Sequence, residues 1–372
     1  MHTARLLLAL TSLLLASAAR AQDSDQQQPS PVDAPPAPDK KEGRLHLSSA
    51  VGSVDVGGRL SVRETLSSKE EEAWGGRLTI PNARLEFNYA WKKRLKAVVE
   101  FDVTDGLKDA YAWLKMGRGF SVRVGRFKVP VSLVESESTA RLPLVRRGLL
   151  REVLSSALEL TGRRNGVQLE WKCPDCTRDV KVRAGVWQND EERVALSQAL
   201  GLVPMLRASW QVLDALELGA TARAEVLGTT SDTRRGNWTA GLDAKHALGL
   251  GWGEWRTWAE VLVGRSELLL GAQGAFFTAR AVTALRYGGT TPGALYVEPF
   301  AMVSALDPDV TKQNNRLWEA VGGLNVGHWN RWRLQVQYEH RQPQGAVPTT
   351  LKPLDDDLVK RKALLLQTQV VF

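Results

Sequence analysis

Arginine and leucine are interleaved through residues 134–163, VESESTARLPLVRRGLLREVLSSALELTGR. Arg141, Arg146, Arg147 and Arg151 alternate with Leu142, Leu144, Leu149 and Leu150. Guanidinium groups stay charged and present a planar fork of donors to carboxylates and phosphates, so this stretch is suited to holding or steering anions. Its leucines need an apolar surface to cover. Both demands are met if the segment folds into an interior, with leucines packed and arginines toward an aqueous channel. The alternative is an exposed loop that meets lipopolysaccharide phosphates. A turn of helix is expected within 147–160.

Other chemistries find little support. No Walker A, G-x-S-x-G or H-E-x-x-H pattern occurs, and Gly249, Gly251 and Gly253 surround Trp252 without a βαβ context, so no enzyme and no cofactor are expected. His46, His246, His328 and His340 are scattered and lack ligand-like neighbours. Cys173 and Cys176 form a lone C-x-x-C in a tight turn. Without further ligands or a following helix, a disulfide stapling that turn in an oxidising compartment is the favoured reading.

The elements that position these groups follow a period of two from about residue 44 onward. Ala83, Leu85, Phe87, Tyr89 and Trp91 alternate with Arg84, Glu86 and Asn88. Trp332, Leu334, Val336 and Tyr338 alternate with Arg333, Gln335, Gln337, Glu339 and Arg341. A soluble sandwich also alternates, but its strands run about 5–6 residues. Here they run about 10 or more, the length a tilted strand needs to cross a bilayer. About 16 such segments can be counted, an even number, separated alternately by short turns and longer links. A phase slip is expected near Gly125 and an ambiguous phase around Pro299, a bulge being the expected cause at each. The expected fold is all-β: a transmembrane antiparallel β-barrel over 44–372, with 134–163 as a constriction loop in its lumen.

Composition agrees. The chain has 372 residues, 43% hydrophobic and 24% charged. Beyond the N-terminal twenty-odd residues, no run stays apolar for about 18 positions, which excludes a helical membrane protein. The formal net charge of +8 favours an anionic partner or solute. Of the 13 tryptophans, Trp91, Trp113, Trp171, Trp210, Trp252, Trp255, Trp329 and Trp332 lie near short turns, and Trp238 and Trp318 open strands on the other side. That distribution is expected of two aromatic girdles, with ordinary cross-strand packing as the alternative. A basic start, the apolar run LLLALTSLLLAS and Ala19-Arg20-Ala21 predict a cleaved signal peptide over 1–21. Residues 22–43, rich in proline and glutamine, read as a disordered tether.

In a barrel of this kind the polar face lines water. Arg84, Arg123, Arg183 and Arg223 fall on that face, as do Arg59, Arg63, Arg207, Lys245 and Arg333, among acidic side chains such as Glu86, Glu100 and Glu217. The wall is mixed with a positive surplus, which raises the local concentration of anions.

Glu100-Phe101-Asp102, Leu107-Lys108-Asp109-Ala110-Tyr111 and the run Val124-Gly125-Arg126-Phe127-Lys128-Val129-Pro130-Val131 resemble the phosphate-selective porin O and P family. Gly323-Leu324-Asn325-Val326 and the final LQTQVVF strand are similar as well. The departures are Val131, where the family often has an aromatic residue, and Glu135-Ser136-Glu137-Ser138 in place of an acid-acid-serine run. The resemblance implies a 16-stranded outer-membrane barrel, commonly a homotrimer, passing anions along arginine and lysine side chains. Arg126 and Lys128, within the matching segment, join Arg84, Arg123, Arg141, Arg146, Arg147, Arg151, Arg183 and Arg223 as the candidate path. The partners expected are outer-membrane lipid, lipopolysaccharide and small anionic solutes such as phosphate, with no nucleic acid. A structural or adhesive barrel plugged by 134–163 is the competing reading.

Overall fold

The computed structural model describes residues 45–68, 74–92, 94–188, 201–225, 237–266, 269, 274–289, 294–328, 331–344 and 362–372. The expected signal peptide, tether and Trp329 lie outside them.

Among the described residues, seventeen strands follow one another. The first nine are β1 (Leu45–Ser49), β2 (Gly52–Ser68), β3 (Gly75–Trp91), β4 (Leu95–Asp102), β5 (Gly106–Gly117), β6 (Phe120–Lys128), β7 (Arg163–Lys172), β8 (Val180–Gln188) and β9 (Leu202–Leu213). Then come β10 (Leu216–Glu225), β11 (Asn237–Leu250), β12 (Gly253–Arg265), β13 (Phe276–Gly288), β14 (Leu295–Asp307), β15 (Leu317–His328), β16 (Trp332–Pro343) and β17 (Lys362–Val371). Each pairs antiparallel with the next, and β17 returns to pair with Arg59–Ser68 of β2. β2 to β17 therefore form a closed ring of sixteen, which leaves no free edge in the wall.

The alternation decides which way each side chain points. On β16, Arg333, Gln335, Gln337, Glu339 and Arg341 are buried while Leu334, Val336 and Tyr338 are exposed. In water that arrangement would be inside out. It is stable when the outer face meets hydrocarbon and the polar face looks into the barrel. Trp91, Trp210, Trp252 and Trp332 are exposed toward the short-turn rim, Trp238 and Trp318 toward the long-loop rim. Trp113 departs from this pattern: it is opposite Lys96 and Arg123 in register and so belongs to the inner face.

Two local expectations are corrected. The pairing of β6 with β7 runs through Gly125 opposite Gly166 without a slip, and β14 passes Pro299 opposite Leu324 in register. The register shifts lie instead at Ser61/Arg63, Glu100/Phe101, Lys115/Gly117 and Leu216/Glu217. The short strand β1 was not anticipated either. It pairs with Gly52 to Val56 of β2, in line with β17, whose neighbour Phe372 exchanges two backbone hydrogen bonds with Gly58.

Candidate functional site

The link from β6 to β7 is the segment that fills the barrel. It starts with a helical turn, Leu133–Ser136, whose N-cap Ser132 accepts from the Glu135 N–H. The expected second turn is Leu149–Glu152, continuing into a π turn over Val153–Ala157. Between them the chain is tied to inward side chains of distant strands. Ser132 Oγ donates to Glu260 of β12 at 2.7 Å. Asn325 Nδ2 of β15 donates to the Pro143 carbonyl at 2.8 Å. The Val145 N–H donates to Gln337 Oε1 of β16 at 2.7 Å, and the Leu149 N–H donates to Glu319 Oε2 of β15 at 2.8 Å. Backbone polar groups drawn out of water must find such partners, and here the lumen wall supplies them.

Ion pairs reinforce this attachment. Glu135 sits among Arg280 of β13 at 3.1 Å, Arg151 at 2.9 Å and Arg147 at 3.4 Å. Burial pushes its carboxyl up, but those three cations outweigh burial and hold it below the usual glutamate range. Glu137 is held low in the same way, with Lys245 at 3.0 Å and Arg141 at 3.6 Å against burial. Burial brings Arg147 down to about 10, so it remains charged at neutral pH. Arg146 pairs with Glu339, and Arg341 bridges Glu319 at 2.7 Å and Glu152 at 2.9 Å.

The leucines have their own partners. Leu149, Leu150, Val153, Leu154, Leu158 and Leu160 pack with Trp187, Met205, Leu262, Phe276, Leu306 and Leu317 of the strands. Leu133, Val134, Leu142 and Leu144 pack with Trp258, Val282, Phe300, Met302 and Val321. The side of the lumen formed by β8, β9 and β12 to β15 is thus a hydrophobic core. A visible signal for it lies in FFTARAVTAL and LYVEPFAMVSAL, which carry apolar residues on both faces of β13 and β14 as doubly covered strands do.

What remains open is a cavity of about 930 Å³ against the opposite wall. Among the described residues, fifteen arginines and lysines line it against seven aspartates and glutamates. Eight of the ten candidate cations are there: Arg84, Arg123, Lys128, Arg141, Arg146, Arg147, Arg151 and Arg183. Arg126 is not. It shares the outward face of β6 with Val122 and Val124, because it stands three positions after inward-facing Arg123 and no bulge intervenes. Arg223 faces inward on β10 beside Glu225 but lies outside the cavity.

Most cavity cations are already engaged. Arg84 pairs with Glu100 at 2.6 Å and Asp102 at 2.8 Å, Arg183 with Glu170 at 2.5 Å, and Arg207 with Asp243 at 2.6 Å. Arg163, absent from the candidate set, bridges Glu100 and Asp109 at 3.3 and 3.0 Å. Arg63 donates to Gln367 at 2.8 Å and to the Val145 carbonyl at 3.3 Å. Arg123 stacks on Tyr111 at 4.8 Å and Phe127 at 5.3 Å, and its Nε donates to no acceptor among the described residues. Arg59 stands apart: its Nε has no partner, it has no ion pair among the described residues, and its cross-strand neighbour is Arg84. Like charges directly opposite are unfavourable, and here Glu100 and Asp102 on Arg84 offset the repulsion. Alternation placed Arg59 on the inner face; only the pairing pattern distinguishes it there.

At the short-turn rim, the structure joins Cys173 and Cys176 in a disulfide between β7 and β8.

Comparison with known proteins places this geometry. The model of the family Phosphate-selective porin O and P matches residues 69–235, a span that holds β3 to β10 and the whole inward loop. No curated protein is a significant sequence match. Among solved structures, OmpT of Vibrio cholerae superposes with a TM-score of 0.58 at 12% identity, covering 88% of this chain and 100% of that one. OmpF of Salmonella typhi, in complex with daunomycin, gives 0.60 at 10% identity over 88% and 100%. An anion-selective porin from Comamonas acidovorans gives 0.55 at 12% identity over 86% and 100%. Over residues 69–235 the chain therefore resembles the phosphate-selective porin O and P family in sequence, and over its closed sixteen-stranded wall it has the fold of a porin.

Proposed function

We propose that this protein is a passive outer-membrane porin that favours small anions, phosphate and other oxyanions among them. The supporting observation is the cavity beside the inward loop, where cations outnumber acids by about two to one. Unpaired and partly paired guanidiniums in a confined aqueous passage lower the barrier for anions and raise it for cations. Arg59 and Arg123 are the strongest candidates for direct contact, since neither is neutralised by a carboxylate among the described residues. On this reading the short turns face the periplasm and residues 1–21 direct export. The barrel then works as a homotrimer, amid outer-membrane lipid and lipopolysaccharide.

The test is the reversal potential of the purified barrel in planar bilayers under a salt gradient, with chloride and then phosphate. Anion preference in both is expected. A cation-selective channel would end the proposal.

The plugged-barrel reading draws on the dense packing of 134–163 against β8, β9 and β12 to β15. Deleting residues within that loop distinguishes the two. A plug predicts conductance rising from near zero, whereas a constriction predicts an increase over an existing current.

A further inference from the structure

Lys128 ends β6 and lines the cavity, where a cation of the anion path is expected. An ammonium group has three N–H donors and no acceptor. In this structure Nζ lies 2.8 Å from the Glu137 carbonyl oxygen and 3.3 Å from those of Glu135 and Ser136. All three donors are therefore directed at the backbone. The acceptors close the helical turn Leu133–Ser136, at an end where carbonyls lack intrahelical partners.

The chain between Lys128 and this turn is Val129-Pro130-Val131-Ser132. The Val129 N–H donates to the Gly162 carbonyl at 2.9 Å, which joins the two ends of the loop. From the far wall, Arg333 of β16 acts on the next stretch, donating to the carbonyls of Thr139 at 2.6 Å and Leu142 at 3.0 Å. Residues 135–142 are thus held by their carbonyl oxygens from two sides, and an anion that drew the Lys128 N–H donors to itself would loosen the first of these attachments.

We propose that Lys128 is a positioning residue: its ammonium clasps the root of the inward loop and sets the width of the passage, and permeating anions do not dock on it. This rests on the porin reading above but makes a separate claim, because passage width acts on uncharged solutes too.

The experiment measures uptake of neutral sugars of increasing size into liposomes carrying the full-length barrel, alongside the chloride reversal potential. Two substitutions are compared. Lys128→Met removes the donors and the charge, while Lys128→Gln removes the charge but keeps an N–H₂ group one bond shorter. The clasp predicts that Lys128→Met speeds uptake of the larger sugars several-fold. It also predicts that Lys128→Gln stays closer to the unsubstituted protein in both measurements. The inference is overturned if both variants lose anion preference equally while sugar uptake is unchanged. If Lys128→Met does not assemble, Lys128→Gln decides alone: a several-fold loss of anion preference with unaltered sugar uptake rejects the clasp, and retention of both supports it. A wild-type channel without anion preference would defeat the porin selectivity reading and leave the sugar measurement to judge Lys128.

Discussion

Arg280 of β13 and Glu135 of the inward loop lie 145 residues apart in sequence, and their side chains meet at 3.1 Å inside the barrel. The same guanidinium donates to Glu260 of β12 and to the Arg147 carbonyl at 3.0 Å. A single fully buried cation thereby joins two neighbouring strands to the start and the middle of the segment that narrows the lumen.

Glu135→Ala should release that segment. Removing one partner of a buried ion-pair cluster costs about 3–5 kcal/mol because the remaining cations lose their compensation. The barrel wall has its own hydrogen-bonded ladder, so the loss is expected locally. Limited proteolysis of the folded barrel should show new cleavage within 133–147, with little change in the strands' circular dichroism. A protease-resistant loop would contradict the assignment.

Selectivity should depend on which face an arginine occupies. One unit charge about 6 Å from a path in water lowers an anion's energy by about 0.7 kcal/mol and raises a cation's by as much, a factor of about ten in permeability ratio. Arg59→Gln is expected to lower the anion-to-cation ratio by about that factor. Arg126→Gln, on the outer face of β6, should leave it unchanged. Reversal potentials measure both, and a larger effect at Arg126 would reject the assigned inner face.

Gly148 should tolerate no side chain. Its φ is +75°, and a Cβ would stand 2.1 Å from Glu319 Oε2 and 2.6 Å from the Met302 Cε. Gly148→Ala must therefore displace the carboxylate that accepts from the Leu149 N–H. A penalty of about 1–3 kcal/mol is expected from overpacking alone. A lower thermal midpoint for loss of loop protection in hydrogen exchange would register it. An unchanged midpoint would show that the second turn is not seated on β15.

Acid should loosen the loop. Glu135 and Glu137 have carboxyls held below their unfolded values. For such groups the stabilisation is complete above the unfolded pKa of about 4.3 and is lost as pH falls through the lower folded values. Loop protection should be constant from neutral pH down to about 5 and decline below about 4. Proteolysis with an acid-active protease across that range measures it; a loss centred near neutrality would point to other groups.

The wall of this protein was legible in its sequence because β-structure has a local signature. Alternation shows which residues of β16 face the lumen with no knowledge of β15 or β17, and alternating link lengths suffice to count the strands. The inward fold of 134–163 was legible for a similar reason, since leucines set among arginines need a surface to cover. Tertiary structure alone decided what each cation does. Arg84 is neutralised by acids on adjacent β4, Arg163 and Arg207 by acids beyond an intervening strand, Lys128 is used by carbonyls of the loop, and Arg59 is left facing Arg84. No periodicity carries that information, because ion pairing depends on which side chains the closing of the ring brings within about 4 Å, and partners such as Arg280 and Glu135 share no local pattern.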